Sequence, residues 1–268
     1  MKYNYHTHHE LCQHAEGTAV DYVKEAIKQG FKGIGISDHT PNPYLPMPER
    51  GWRMQIEDLP YYLSDVKRAK ETYKDQIEVY TGLEVEYFPG YRHFYQDLRS
   101  QTDYLILGQH YISDDDDIKK MYSSFGLKTK EQIHLYERYV IEAMESGFFD
   151  ILAHPELYLF TYQTFDQDAK NIAYNIAKTA KEHNVLLEYN ANGYRKKTVK
   201  TGKGIQHVYP RSEFWAIVKE VGTKTILSSD CHLPELLYDD TVKRAEEDYK
   251  KLGLNEVEGL PSLKKTSD

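Results

Sequence analysis

The chain has 268 residues, of which 40% are hydrophobic, and its formal net charge is -8. This length suits one domain of a barrel fold, and the acidic balance argues against a nucleic-acid partner, which needs a clustered basic face. Only two cysteines occur, and no apolar run reaches the roughly 18 residues of a membrane span. We therefore expect a single domain over residues 1–268, in the cytoplasm, with reduced thiols and no membrane partner.

Apolar runs of strand length alternate with amphipathic stretches along the chain. The predicted strands are Tyr3–His6, Gly33–Ser37, Glu78–Glu84, Tyr104–His110, Phe149–His154, Val185–Asn190 and Thr225–Ser229. Most of them are continuously apolar, which is typical of parallel strands buried on both faces. A first helix is predicted around residues 20–27, with Thr18 as its N-cap and Gly30 as its stop. Two more are predicted over Lys130–Ser146 and Gln167–Glu182.

This alternation predicts an α/β fold with a parallel sheet and right-handed crossovers. Seven strand–helix units favour a closed or nearly closed barrel. A doubly wound open sheet is the alternative, but no glycine-rich phosphate-binding segment follows the first strand. The proline-rich segment Thr40–Pro60 is long for a connection, and long loops often carry function. A solvated loop is one of two interpretations left open for the basic run Lys196–Lys203.

Nearly every predicted strand ends at or beside a potential metal ligand. The histidines near these ends are His6, His8, His14, His39, His110, His154 and His232. In a barrel of this kind the carboxyl ends of the strands converge on one face, where active sites lie. With Glu84 and Asp230 there are nine candidate ligands, too many for one ion of coordination four to six. Mixed nitrogen and oxygen donors suit two or three divalent ions of Zn, Mn or Fe, with the two carboxylates as bridges.

The ordered set HxH, a third His six residues later, DH, GLE, a lone His, AHP and SDxH resembles the PHP (polymerase and histidinol phosphatase) family. The resemblance covers about residues 3–232. Several segments look most like the bacterial monofunctional histidinol-phosphate phosphatases: Cys12-Gln13-His14, Asp38-His39-Thr40-Pro41, Glu84-Val85-Glu86-Tyr87 and Asn190 to Lys196. The chain departs from the usual pattern at His9, Gln13, Ala15, Asp38 and Cys231, and none of these departures removes a ligand.

The resemblance implies a distorted (β/α)7 barrel of the PHP type with a trinuclear metal site. It assigns one metal to His6, His8, Glu84 and Asp230. It assigns a second metal to Glu84, His110 and His154, and a third to His14, His39 and His232. Glu16, two residues beyond His14, is a second-rank alternative for the third metal.

The resemblance also implies the reaction, which is hydrolysis of L-histidinol phosphate to histidinol and phosphate in histidine biosynthesis. We expect a hydroxide that bridges the metals to attack phosphorus, with Asp230 and His232 as candidates for the general acid. Arg195 is expected to bind phosphate bidentately, and Glu86 and Tyr194 are candidates for contact with the substrate's imidazole and amine. One alternative is a PHP phosphoesterase that acts on nucleotides or nucleic-acid ends. Another is a metal-binding protein without activity, which should have lost ligands.

Overall fold

The computed structural model describes residues 1–41, 52–114 and 121–263. Residues 42–51 of the predicted loop Thr40–Pro60 therefore lie outside the described residues. The strands are β1 (Tyr3–Asn4), β2 (Gly33–Ile36), β3 (Glu78–Thr81), β4 (Glu84–Val85), β5 (Ile106–Leu107), β6 (Tyr111–Ser113), β7 (Met121–Ser123), β8 (Ile151–Leu152), β9 (Leu186–Asn190), β10 (Thr198–Thr201), β11 (Gly204–His207), β12 (Lys224–Ser228) and β13 (Asn255–Glu256). The α-helices are α1 (Ala19–Lys28), α2 (Leu59–Tyr73), α3 (Arg92–Gln101), α4 (Lys130–Glu145), α5 (Gln167–Glu182), α6 (Ser212–Val221) and α7 (Asp240–Leu252).

Parallel strands form two runs, in the spatial orders β1-β2-β3 and β4-β5-β8-β9-β12-β13. β3 and β4 are two parts of one predicted strand, interrupted at Gly82 and Leu83. Isolated parallel bridges pair His39, which follows β2, with Glu84 of β4, and Thr7, which follows β1, with Cys231, which follows β12. These two bridges join the two runs. The predicted distorted (β/α)7 barrel is confirmed. The open doubly wound sheet is wrong, because the segment after β1 pairs with the segment after β12 and so curls the sheet toward closure.

The amino end of the barrel is filled by aromatic side chains. Tyr104 crosses the interior, and its hydroxyl donates to the carbonyl of Tyr5. A Cβ at Gly35 would lie 2.0 Å from the Tyr104 hydroxyl, and one at Gly82 would lie 2.2 Å from its Cζ. Only glycine at these two positions leaves room for the ring. The interior therefore closes below the site, and the carboxyl end of the strands remains open.

The helices begin and end close to their predicted bounds. At the start of α1 the Asp21 carboxylate accepts a 2.9 Å hydrogen bond from the backbone N–H of Thr18, and the chain leaves the helix at Gly30 with a φ of 75°. A solvated loop at Lys196–Lys203 is wrong, because β10 and β11 pair as an antiparallel hairpin there. Its lysines are nevertheless exposed. Within the described residues, no helix combines the length and the apolar character needed to cross a membrane.

Candidate metal centre

A cavity of about 750 Å³ opens at the carboxyl end of the strands. Seven of the predicted ligands line it: His14, His39, Glu84, His110, His154, Asp230 and His232. The other two, His6 and His8, are fully buried and contact Glu84 and Asp230. The strand ends therefore bring all nine predicted ligands together.

The first donor group joins β1 to the ends of β12 and β3–β4. The Nε2 atoms of His6 and His8 lie 3.2 Å apart. Asp230 Oδ1 lies 2.9 Å from His8 Nε2, and Glu84 Oε2 lies 3.2 Å from His6 Nε2. His6 Nδ1 faces Glu188 Oε1 at 2.7 Å, so it donates there and leaves its Nε2 lone pair toward the group.

The second donor group contains His110, His154 and the other oxygen of Glu84. The two imidazole Nε2 atoms are 3.3 Å apart, and Glu84 Oε1 lies 3.3 Å from His110 Nε2 and 3.1 Å from His154 Nε2. His110 Nδ1 lies 2.9 Å from Glu86 Oε1, which orients the ring. Glu84 therefore presents one oxygen to each group, as expected of a bridging carboxylate.

The third pair, His14 and His232, shows most directly that the residues fit a cation. Their Nδ1 atoms lie 2.9 Å and 3.2 Å from the carbonyl oxygens of Cys12 and Asp230. A carbonyl only accepts, so each Nδ1 carries hydrogen, and in the neutral ring each Nε2 is a bare lone pair. Burial lowers the pKa of both imidazoles, most strongly that of His232.

These two bare nitrogens nevertheless face each other at 3.1 Å. Two imidazole nitrogens that bind one tetrahedral zinc ion at 2.0–2.1 Å would lie about 3.3 Å apart. The close approach of two acceptors is therefore what a shared cation produces, and the same spacing recurs in the first and second groups.

His39 lies between these groups. Its Nδ1 is 3.0 Å from Glu84 Oε2, and its ring centroid is 4.3 Å from that of His8 and 5.3 Å from that of His14. His8, His39 and His232 offer ligand atoms within 4.8 Å of one another. Glu16, the second-rank alternative, has an exposed side chain, and its backbone N–H donates to the carbonyl of His232 at 2.9 Å.

The electrostatics of the site favour bound cations. Burial opposes ionisation of Glu84, but His6, His110 and His39 outweigh it and hold the pKa of Glu84 well below its ordinary value. Asp230 behaves in the same way: burial opposes its ionisation, and the charges of His6, His8 and His232 hold its pKa well below its ordinary value. Burial opposes protonation of His6, His8 and His110, but the surrounding carboxylates outweigh it and raise the pKa values of all three. Carboxylates and imidazoles together form the mixed oxygen and nitrogen donor set of divalent metals.

The family model of the PHP domain matches residues 4–192, which is more than half of the chain. The chain belongs to the PHP domain family. The matched residues include β1 to β9, and β12 with Asp230 and His232 lies beyond them.

Two relatives of this PHP domain and one solved structure are named as histidinol phosphatases. A protein of Deinococcus radiodurans named a probable histidinol-phosphatase is 28% identical over 244 residues and covers 85% of each chain. The histidinol-phosphatase of Bacillus subtilis is 30% identical over 118 residues, which cover 41% of this chain and 44% of that protein. The structure of histidinol phosphate phosphatase from Lactococcus lactis with Zn, L-histidinol and phosphate shares the fold, with a TM-score of 0.73 and 19% identity, and covers 98% of this chain and 97% of that one.

The three residues predicted to contact the substrate lie in different surroundings, and only Arg195 is among the described residues that line the cavity. Arg195 lines the cavity, and its guanidinium binds Asp239 through two hydrogen bonds of 3.0 and 2.8 Å. Glu86 instead lies behind His110, where Arg53 donates to both of its oxygens at 2.8 and 2.9 Å. Tyr194 is not among the described residues that line the cavity, and its hydroxyl bonds to Tyr189 and Asp248.

Several residues around this site had no assigned role from the sequence. Glu188 contacts His6, and Asn192 donates to Asp230 Oδ2 at 3.2 Å. Arg53 fixes Glu86. Aromatic side chains form part of the cavity wall: Trp52, Tyr111, Phe125, Phe160 and Tyr209. The signal for Glu188 was present, because it lies at the end of a predicted strand, whereas Trp52 and Arg53 follow a loop whose path the sequence does not specify.

Proposed function

We propose that this chain is a divalent-metal-dependent phosphatase that hydrolyses L-histidinol phosphate to histidinol and phosphate in histidine biosynthesis. The observation that supports this most is the convergence of paired histidine nitrogens, 3.1–3.3 Å apart, around a shared Glu84 beside a cavity that Arg195 lines. The names of the Deinococcus radiodurans and Bacillus subtilis relatives support the substrate.

We assign the first metal to His6, His8, Glu84 and Asp230, and the second to Glu84, His110 and His154. The third takes His14, His39 and His232, and the donor set suits Zn, Mn or Fe. When bound, such ions neutralise phosphoryl oxygens and lower the pKa of a water toward neutrality.

Other side chains bind the phosphate and hold the ligands. The Arg195 guanidinium offers bidentate hydrogen bonds to phosphate oxygens from the cavity wall, and Asp239 fixes its orientation. Asn192 donates to Asp230 Oδ2, which leaves Oδ1 toward His8.

Neither candidate for the general acid, Asp230 or His232, holds an acidic proton in the resting site. The pKa of Asp230 is held well below its ordinary value, against the effect of burial, by His6 and His8, so Asp230 is ionised and has no proton to donate. His232 lines the cavity, but burial lowers its pKa, and the Nδ1 hydrogen of its neutral ring faces the backbone carbonyl of Asp230.

The substrate's imidazole is proposed to contact the aromatic wall of the cavity. Phe125 stacks on His110 with an interplanar angle of 9°, and its ring meets Phe160 edge-on at 5.1 Å between centroids. Offset and edge contacts of this kind suit a planar heterocycle. We propose this wall in place of Glu86 and Tyr194 as the contact for the imidazole. The carboxylate of Glu86 is paired with Arg53, and the hydroxyl of Tyr194 bonds to Tyr189 and Asp248.

We also propose that residues 1–268 form one domain and that the enzyme acts in the cytoplasm. β12 pairs with β9 over residues 225–228 and contributes to the same barrel as the matched residues. Both cysteines, Cys12 and Cys231, are buried and free, which suits a reducing compartment.

The test is phosphate release by metal-stripped protein that is reloaded with Zn, Mn or Fe in separate reactions. Histidinol phosphate, a nucleoside monophosphate and 5′-phosphorylated single-stranded DNA are the substrates. We expect turnover of histidinol phosphate to exceed that of the other two, and loss of both turnover and one bound ion in His110→Ala. His134→Ala, at an exposed histidine, is the matched control. Preference for the nucleotide or the DNA would replace the proposed substrate, and full activity in His110→Ala would exclude the metal assignment.

A further inference from the structure

β9 is a barrel strand whose carboxyl end provides no proposed metal ligand, yet it is buried along its whole length. Glu188 and Asn190 are two residues apart on this strand, so their side chains point to the same face. Both are directed at the donor groups, and both are almost fully buried, with exposed fractions of 0% and 1%.

Glu188 receives hydrogen bonds from three directions. His6 Nδ1 donates to Oε1 at 2.7 Å, and the backbone N–H of His154 donates to Oε2 at 3.1 Å. The Asn190 side-chain amide also donates to Oε2, at 2.8 Å. One carboxylate therefore contacts a residue of the first donor group and a residue of the second.

Asn190 extends this connection to a third ligand. Its Nδ2 also donates to Asp230 Oδ2, at 3.0 Å. Asp230 and His154 both have backbone conformations that residues other than glycine adopt rarely, with φ values of 47° and 33°. Glu188 bonds the backbone of one of these strained residues, and Asn190 bonds the side chain of the other.

We propose that Glu188, together with Asn190, is a positioning residue that couples the first metal position to the second. The inference rests on the proposed function to the extent that metals occupy these positions. A carboxylate is required because His6, His154 and Asn190 all donate to it. The amide of a glutamine has a single acceptor oxygen, so it turns its own N–H groups toward at least one of these donors.

Glu86 offers a matched comparison, because it is also a buried carboxylate that accepts from an imidazole Nδ1. It contacts His110 alone among the proposed ligands, so it supports the second position only. The isosteric variants Glu188→Gln and Glu86→Gln therefore distinguish a coupling residue from one that orients a single ligand.

The experiment titrates metal-free wild type, Glu188→Gln and Glu86→Gln with Zn²⁺ by calorimetry and with Co²⁺ by visible absorption. Loss of a group that orients a metal ligand typically lowers affinity about 10–100-fold. We expect two weakened binding steps and altered Co²⁺ bands at both positions in Glu188→Gln, and one weakened step in Glu86→Gln. Unchanged affinities in Glu188→Gln, or a single weakened step, would overturn the proposal.

Asn190→Ala keeps the Glu188 carboxylate and removes the amide that joins it to Asp230. If Glu188→Gln does not fold, this variant tests the proposal in its place. Weakening of the second position as well as the first in this variant supports the coupling, and unchanged affinities or an effect confined to the first position refute it. Phosphate release from histidinol phosphate by the wild type tests the proposed function separately. A wild type that binds two ions without releasing phosphate would refute the proposed substrate and leave the coupling supported or refuted by the titrations alone.

Discussion

Gly108 is a position where one added methyl group should disturb the metal centre directly. A Cβ at this residue would lie 2.1 Å from Glu84 Oε1, and such contacts essentially never fall below 3.0 Å. In Gly108→Ala the carboxylate oxygen must therefore move by at least about 0.9 Å, from 2.1 to 3.0 Å. Glu84 is buried, and its oxygens are 3.0–3.3 Å from surrounding histidine nitrogens, so a shift of this size changes its distances to both donor groups.

Overpacking of this kind costs about 1–3 kcal/mol, and a misplacement of about 1 Å in a catalytic site can cost roughly 100-fold in rate. We expect Gly108→Ala to lower turnover of histidinol phosphate about 100-fold and to weaken both metal positions that share Glu84. The melting temperature of the metal-free protein should fall by roughly 2–4 °C per kcal/mol.

The assays are calorimetric unfolding, metal content after dialysis, and phosphate release. Gly126→Ala is the matched control, because an added Cβ at Gly126 meets no atom within 4 Å. If Gly108→Ala retained the metal content and the rate of Gly126→Ala, the placement of Glu84 between the two donor groups would be incorrect.

Three further predictions follow from contacts around the barrel. Arg195→Ala should raise KM and lower kcat for histidinol phosphate, together by about 1.5–3 kcal/mol, the usual contribution of a charged hydrogen bond; steady-state kinetics equal to those of the wild type would place Arg195 outside the phosphate site. Chelation should destabilise the enzyme, because an ion at 100 times its Kd contributes about 2.7 kcal/mol to the native state, and thermal melting with EDTA and after Zn²⁺ is restored measures this; a melting temperature insensitive to both would contradict bound metal. Burial opposes ionisation of Glu246, but Lys250, the terminal ammonium and Tyr238 lower its pKa to about 2. The folded pKa lies below an ordinary value of about 4.5, so this group stabilises the fold above that pH and loses the contribution as the pH falls toward 2. Urea unfolding of metal-free wild type and Glu246→Gln should therefore differ most near pH 7 and converge in acid, and a difference that is constant with pH would refute the assignment.

The sequence was most informative where chemistry and periodicity coincide. An imidazole or carboxylate at the end of a buried strand is costly unless it has a partner, and the barrel brings these ends together, so the ligands could be predicted before their contacts were known. The bounds of α4 and α5 were predictable to within one residue because a regular apolar stripe is a local property.

The substrate contacts were harder to predict because they depend on which way neighbouring side chains turn. Tyr194 and Arg195 are adjacent in a 3-10 helix, Ala191–Arg195, where successive side chains point about 120° apart. Arg195 therefore reaches the cavity while Tyr194 packs against Tyr189. Glu86 was misassigned because its partner Arg53 lies 33 residues away in sequence, and no local pattern reports such a pair.

The basic hairpin was missed for a different reason. Its strands β10 and β11 contain few apolar residues, so the alternation that predicts a strand is weak. The dipeptide Gly202-Lys203 connects them, and the glycine that follows it, Gly204, has a φ of 101°, a conformation that favours glycine at a turn. The turn residues were more informative here than hydrophobicity.

The bridge between Thr7 and Cys231 has a consequence for biosynthesis of the enzyme. Asn4 and Ser229, which bond at 2.9 Å beside this bridge, are 225 residues apart. At about 5–20 residues per second, the ribosome needs roughly 10–45 s to make the intervening chain. His6 and His8 therefore leave the ribosome long before Asp230 exists, and the first metal position cannot be completed on a growing chain. On the proposed assignment, completion of the first metal position is consequently a late event in maturation, and a chain that stops before β12 retains the histidine pair without the carboxylate that completes the position.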